Sequence, residues 1–372
     1  MPVLFGFFVM GFCDVVGIST SYVKADFSLS ETVAGLIPSM VFIWFFLLSI
    51  PVALMMDKLG RKRIVQISNC ITFAGMLIPF IHYDLFTCMM GFVLLGIGNT
   101  ILQVSLNPLL TNVVSGEALT SSLTVGQVVK AVSSFCGPFI AAFAVSAFGN
   151  WRYLFPIYAL ITLLSAFWLF MTPIPETGKS EGSSSFGSVL ALLKDKRILF
   201  LFLGIFCIVG VDVGVNTVSP KLLIERAGWA VEKAGFASSV YFLCRTAGAM
   251  LGTALLIRMK DERYFRINII AALVSLSLLF MVKGTVHMLI LIGMTGFFCS
   301  SIFSVLYSAA IKSRPDAANG ISGLMIMGVS GGALIPPLMG VAADMTGTQS
   351  GSIAVILLCV IYLCITAFRL GK

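Results

Sequence analysis

Charge is scarce in this chain of 372 residues: Asp, Glu, Lys and Arg make up 11% of it, against 58% hydrophobic residues and a mean hydropathy of +1.03. A soluble domain carries about 25% charged residues, so the deficit excludes an ordinary fold in water. Histidine is almost missing, with only His82 and His287, both near predicted loop ends. The nine cysteines stand singly, with no CxxC pair and no cluster with histidine, which argues against a metal centre or a disulfide framework. No GxxxxGK loop occurs, nor a Ser or Cys nucleophile with a histidine beside it at membrane depth, so nothing here reads as an enzyme. Short segments alternating at period two, the mark of a membrane barrel, are also lacking.

What the chain has is apolar length. Runs of 18 to 27 residues recur throughout, each long enough to cross a hydrocarbon core of about 30 Å. They predict an all-α integral membrane protein with twelve transmembrane helices, at 3–22, 33–56, 64–82, 86–112, 121–147, 152–173, 197–221, 234–258, 265–283, 286–311, 319–345 and 350–369. The opening "MPVLFGFFVMGF" has no basic leader and no evident cleavage site, and is read as the first span. The longest connection, 174–196, contains "ETGKSEGSSSFG", a composition suited to a flexible linker.

The net charge of +8 has a topological explanation. With both termini cytoplasmic, the loops on that side and the C-terminus hold 16 of the 24 Lys and Arg, the opposite loops six, and two lie inside spans. That bias is the positive-inside pattern and calls for no nucleic-acid partner. The chain also repeats itself after about 200 residues. "ETVAGLIPSMVF" (31–42) matches "VEKAGFASSVYF" (231–242), and "GIGNTILQVSLNPLL" matches "GFFCSSIFSVLYSAA". The expected organisation is an N-terminal six-helix bundle (1–173), a cytoplasmic linker (174–196) and a C-terminal six-helix bundle (197–372), with the site at midplane between them, as in secondary transporters built from parallel repeats.

Four ionisable side chains fall well inside the predicted spans, away from their ends: Asp14, Lys130, Asp212 and Arg245. Facing lipid, each would cost roughly 2.5 to 3.5 kcal/mol, so they must face water, cargo or one another. Each has polar company at helical spacing: Gln127 and Ser134 around Lys130, Asn216 and Ser219 beyond Asp212, Ser238 and Tyr241 before Arg245. One reading pairs Asp14 with Lys130 and Asp212 with Arg245 as struts. The other, favoured because buried pairs stabilise poorly compared with apolar packing, puts them in a cavity. Asn99, Gln103 and Asn107, in "GNTILQVSLNP", lie four apart and form one stripe of a helix. Pro108 leaves the carbonyl of Val104 without its helical donor. Trp44, Tyr241 and Tyr307 are the aromatic candidates for stacking on a cargo.

"ALMMDKLGRKR" resembles the loop 2-3 signature of the major facilitator superfamily, an acid followed by Gly and a basic pair. There Asp57 is expected to cap the next helix and to pair with Arg61, a gating contact that breaks and re-forms. "GNTILQVSLNP", "LTVGQVVKAVSSFCGP", "IVGVDVGVN" and "GVSGGALIPPLMGVAADMTG" resemble its fucose and glucose/galactose symporter branch. The resemblance implies two six-helix bundles, alternating access and a monosaccharide cargo often moved with a proton. It also implies departures. Gln103 stands where the fucose group has a carboxylate, and that group's acid in helix 1 aligns with Gly17, three residues after Asp14. Lys130 replaces a common Asn, and a familiar Arg position reads Ala249, a turn after Arg245.

The leading expectation is therefore a proton-linked monosaccharide carrier of the cytoplasmic membrane, working as a monomer without a cofactor other than the proton gradient. Asn99, Gln103, Asn107, Gln127 and Asn216 would bind hydroxyls, and Asp14 or Asp212 would exchange the proton. The alternatives are an organic anion or acidic sugar clamped by Lys130 and Arg245, an uncoupled facilitator, and a membrane receptor, which would need an output domain that the sequence does not display.

Overall fold

The computed structural model describes residues 2–16, 19, 22–23, 26–28, 31–114, 118–174, 186–229 and 236–369. Twelve helical segments follow one another there. They are α1 (Pro2–Met10), α2 (Glu31–Leu59), α3 (Arg61–Ile81), α4 (Leu85–Thr111), α5 (Ala118–Phe148), α6 (Leu154–Met171), α7 (Lys196–Ala227), α8 (Phe236–Leu256) and α9 (Asp261–Met281). α10 runs in two pieces, Thr285–Cys299 and Ile302–Ser313; α11 likewise, Ala318–Met327 and Gly331–Thr346; α12 is Ser350–Arg369. Ten spans among the described residues are long and apolar enough to cross a membrane. The fold is the expected all-α membrane architecture, because in hydrocarbon a helix satisfies its own backbone groups.

Helix boundaries follow local chemistry. Asp84 caps α4 by accepting the Thr87 amide at 2.7 Å, and that amide holds the exposed Asp84 carboxyl below its usual range. Within the predicted first span α1 tightens after Met10 into a narrower helical turn, Gly11–Val15, and α-helical backbone returns at Val16, Ser19, Tyr22 and Val23 among the described residues. The carbonyl of Met10 is taken by the Asn99 side-chain amide of α4 at 2.7 Å. Asp26, just before α2, accepts from the Tyr83 hydroxyl at 2.5 Å and from the Trp151 indole at 2.8 Å. Burial and then that bond to Asp26 push the Tyr83 phenol up.

Two compact units form. The first holds Met1–Gly116, Gly126–Leu190 and Asp316–Met327, the second Glu117–Val125, Ala191–Pro315 and Gly328–Lys372. The start of α5 thus belongs with the second unit, and the start of α11 with the first. Of the linker 174–196, residues 175–185 lie outside the described residues, and Phe186–Ala191 is a short helix. Within the first unit α4 packs on α2 and α3, and α3 on α6; within the second, α10 packs on α8 and α9, and α7 on α11 and α12.

The internal repeat extends to individual contacts. In the first unit Gln66 of α3 donates to the Ala166 carbonyl at 2.9 Å; in the second, Arg266 of α9 donates to that of Ala367 at 3.0 Å. Gly6 faces Leu106 as Gly204 faces Leu306. The offset of 198 that carries Gly6 to Gly204 also carries Asp14 to Asp212, so the two intramembrane acids are repeat equivalents. A Cβ on Gly296 would lie 2.7 Å from the Tyr241 carbonyl oxygen and 2.9 Å from its ring. Gly296→Ala is therefore expected to push α8 off α10 and cost about 1–3 kcal/mol of stability, read as a lower thermal midpoint in detergent.

Candidate functional site

In the first unit the amide stripe forms a ladder. Asn107 donates to the Gln103 backbone carbonyl at 2.9 Å, Gln103 donates to the Asn99 side-chain oxygen at 2.7 Å, and Asn99 donates to Met10. All three are buried, and the Asn107 side-chain oxygen has no partner among the described residues. The carbonyl that Pro108 frees, Val104, is taken by the Ser322 hydroxyl of α11 at 2.6 Å. That carbonyl lost its helical donor to proline, and a hydroxyl from another element fills the position.

Asp14 sits in the turn after α1. It accepts from the Ser134 hydroxyl of α5 at 2.5 Å and from the neighbouring Cys13 thiol at 3.4 Å. Among the described residues neither Asp14 nor Lys130 makes an ion pair within 4.0 Å, so the structure does not bring these two together as a strut. Gln127, half-buried, makes no hydrogen bond among the described residues. Trp44 packs beside Gly96, its indole nitrogen buried without a partner among the described residues.

The equivalent acid in the second unit is held differently. Arg245 pairs with Asp212 at 2.9 Å, and the Tyr241 hydroxyl donates to the other carboxylate oxygen at 2.5 Å. Tyr241 is 0% exposed, so its ring is covered here and its hydroxyl is committed. Ser238 donates to the Asn216 backbone at 3.2 Å, and the Asn216 side-chain oxygen is buried and has no partner among the described residues. Tyr307 is fully buried in α10.

Asp57 and Arg61 are brought together through a third residue. Asn319, at the start of α11, donates to Asp57 at 2.7 Å and accepts from Arg61 at 2.8 Å; Arg61 also donates to the Pro108 carbonyl at 2.9 Å and to Asn112. Gly60 occupies the N-cap of α3, with no side-chain cap. The second unit carries a counterpart of opposite sign that sequence reasoning missed. Asp261 starts α9 and accepts from Lys312 at 3.0 Å and from Thr120, at the start of α5, at 2.7 Å. Sliding the repeat by 200 carries Arg61 onto Asp261 and Asn112 onto Lys312, a signal present in the sequence.

A family model described as Major Facilitator Superfamily matches residues 3–334. The chain belongs to that superfamily. It is a multi-pass membrane protein, and its members' fold is the one described above. The "Glucose/galactose transporter" of Brucella abortus is 24% identical over 92% of this chain and 86% of its own length. The "L-fucose-proton symporter" of Escherichia coli is 22% identical over 86% of this chain and 81% of its own. The solved structure of a major facilitator transporter in the outward conformation, the fucose symporter, superposes with a TM-score of 0.87 at 20% identity, covering 100% of this chain and 98% of that one.

Proposed function

We propose that this chain is a secondary active transporter that moves a monosaccharide across the cytoplasmic membrane by alternating access, coupled to protons. Relatives named for glucose, galactose and fucose transport support the cargo class. So does the amide ladder, whose unpartnered Asn107 oxygen suits a neutral hydroxyl. The basic loops support an orientation with both termini cytoplasmic, and a monomer is the simplest working unit.

The observation that carries the coupling is the unequal treatment of two equivalent acids. Asp212 is neutralised by Arg245 and hydrogen-bonded by Tyr241, whereas Asp14 has a hydroxyl and a thiol for company and no cation within 4.0 Å among the described residues. A carboxylate without a fixed counter-charge can take up and give back a proton without breaking an ion pair. Asp14 is therefore the proton-exchanging group, and Asp212 positions Arg245. Asp57, Asn319 and Arg61 form a latch that opens and re-forms in each cycle, as the loop signature implies.

A second reading, an acidic sugar, rests on Lys130, whose charge no acid within 4.0 Å balances among the described residues. Arg245 contributes less to such a clamp, because Asp212 already occupies it. Uptake into proteoliposomes with a panel of neutral and acidic sugars, with and without a pH gradient, tests both. Neutral-sugar uptake that Gln103→Ala weakens and Lys130→Gln leaves intact is the expected result. Uptake confined to acidic sugars and lost in Lys130→Gln would replace the first reading by the second.

A further inference from the structure

We propose that the neighbouring ends of α7, α9 and α12 in the second unit form a binding site for the phosphate of an anionic phospholipid, held by Arg266 and Arg369. The cytoplasmic leaflet follows from the proposed orientation of the chain; the site itself depends neither on the cargo nor on proton coupling.

α12 ends on Phe368 and Arg369 after an apolar run, and α7 opens on Lys196 and Arg197 before one. Arg266 lies five residues into α9 and Phe200 four into α7, about 7.5 and 6 Å from their helix starts. These side chains stand where hydrocarbon gives way to head groups, the depth at which aromatic rings and snorkelling cations collect. The Arg369 guanidinium lies over the Phe200 ring, 4.6 Å from its centroid, and Phe200 stacks on Tyr362 with centroids 6.1 Å apart. The Tyr362 hydroxyl donates to the Phe200 carbonyl at 3.2 Å, so the platform under Arg369 is tied across α7 and α12. Arg266 gives its Nε–H to the Ala367 carbonyl at 3.0 Å and sits 5.5 Å from the centroid of the Phe368 ring.

Two guanidinium groups are thus steadied at one end of α12 with donors to spare, since each carries five and Arg266 gives one to Ala367. Neither makes an ion pair within 4.0 Å among the described residues. The carboxylates at this end are Asp195, which caps α7, Asp261, which Lys312 holds, and Glu262. Lys196, Arg197 and Arg263 join the two arginines, so the surplus is positive. The positive-inside pattern asks for cations in loops, not for guanidinium groups laid on rings at helix level. The first unit shows that the fold does not require them. There the bond equivalent to Arg266 with Ala367 is made by the neutral Gln66 with Ala166, and Trp168 stands two residues on, where the second unit has Arg369. A planar guanidinium matches two phosphate oxygens, and basic pockets between membrane helices hold anionic head groups. Ile361, Ile365 and Phe368, all exposed, run down one side of α12 from the cations and offer acyl chains a track that a free phosphate would not use.

The test is lipid titration of the full chain in a neutral detergent, read by native mass spectrometry as lipids retained per chain. Phosphatidylglycerol is expected to bind at one tight site per chain, and phosphatidylcholine, whose phosphate is balanced by its own choline, at none. Arg266→Gln can keep the Ala367 bond as Gln66 does in the first unit, and should weaken phosphatidylglycerol about fivefold; adding Arg369→Gln should bring the loss to about 30-fold. Arg152→Gln, which removes a guanidinium from over the Tyr83 ring in the first unit, is the control and should bind as the parent does. Equal retention of the two lipids by the parent, a result that needs no variant, would overturn the proposal. So would parental affinity in the double variant, an equal loss in Arg152→Gln, or displacement of the lipid by inorganic phosphate at matched concentration, which would mark a site for a free anion. None of these measurements involves transport, so failure of the sugar-carrier reading would leave them unchanged.

Discussion

Asp14→Asn in proteoliposomes is expected to abolish accumulation of sugar while leaving its equilibration intact. One pH unit is worth about 1.4 kcal/mol per proton, so the parent protein with one coupled proton accumulates sugar about tenfold across that gradient. An amide cannot carry the proton, and the variant should stop at equal concentrations inside and out. Ser134 already donates to this side chain, and an Asn oxygen can accept the same bond, so the fold should be unaffected. Asp212→Asn is the comparison. Its acid is paired with Arg245, and the variant should keep gradient-driven accumulation, with its loss seen in apparent affinity instead. Accumulation that survived in Asp14→Asn and vanished in Asp212→Asn would reverse the assignment of the two equivalent acids.

Arg245→Gln is expected to cost more stability than removing both members of the pair. The single change strands the Asp212 carboxylate with the Tyr241 hydroxyl as its remaining donor among the described residues, a penalty of about 1–3 kcal/mol. The double variant Asp212→Asn with Arg245→Gln replaces ion pair by amide pair and should recover most of the thermal midpoint. Transport then distinguishes two roles for the arginine. If uptake returns with stability, Arg245 is a strut for α7 and α8. If stability returns and uptake does not, Arg245 reads the cargo, which is the expected outcome, because Asp212 then serves to aim its guanidinium.

The unequal partners of Asp14 and Asp212 explain how far the sequence could be read at the site. Both acids, both cations and the amide stripe were visible as polar residues at helical spacing inside apolar runs, since any such residue is too costly to face lipid. Pairing was not visible. Asp14 with Lys130 and Asp212 with Arg245 looked alike on paper, yet only the second forms an ion pair within 4.0 Å. Tyr241, read as a stacking platform from its aromatic ring and polar tip, lies covered with its hydroxyl on Asp212. Asn319 escaped notice because its partners Asp57 and Arg61 are more than 250 residues away.

Length, hydropathy and the scarcity of charge by themselves determined an all-α membrane protein of twelve spans, since backbone groups in hydrocarbon have few other ways to be satisfied. The repeat at about 200 residues determined which positions are equivalent, and proline chemistry that Val104 would need a donor. The tertiary structure alone decided that Ser322 is that donor, that the Met10 carbonyl accepts from Asn99, and which of two equivalent acids is neutralised. The reason is physical: a span needs only its own twenty or so residues to be recognised, whereas a partner is chosen by side chains that packing brings together from distant parts of the chain.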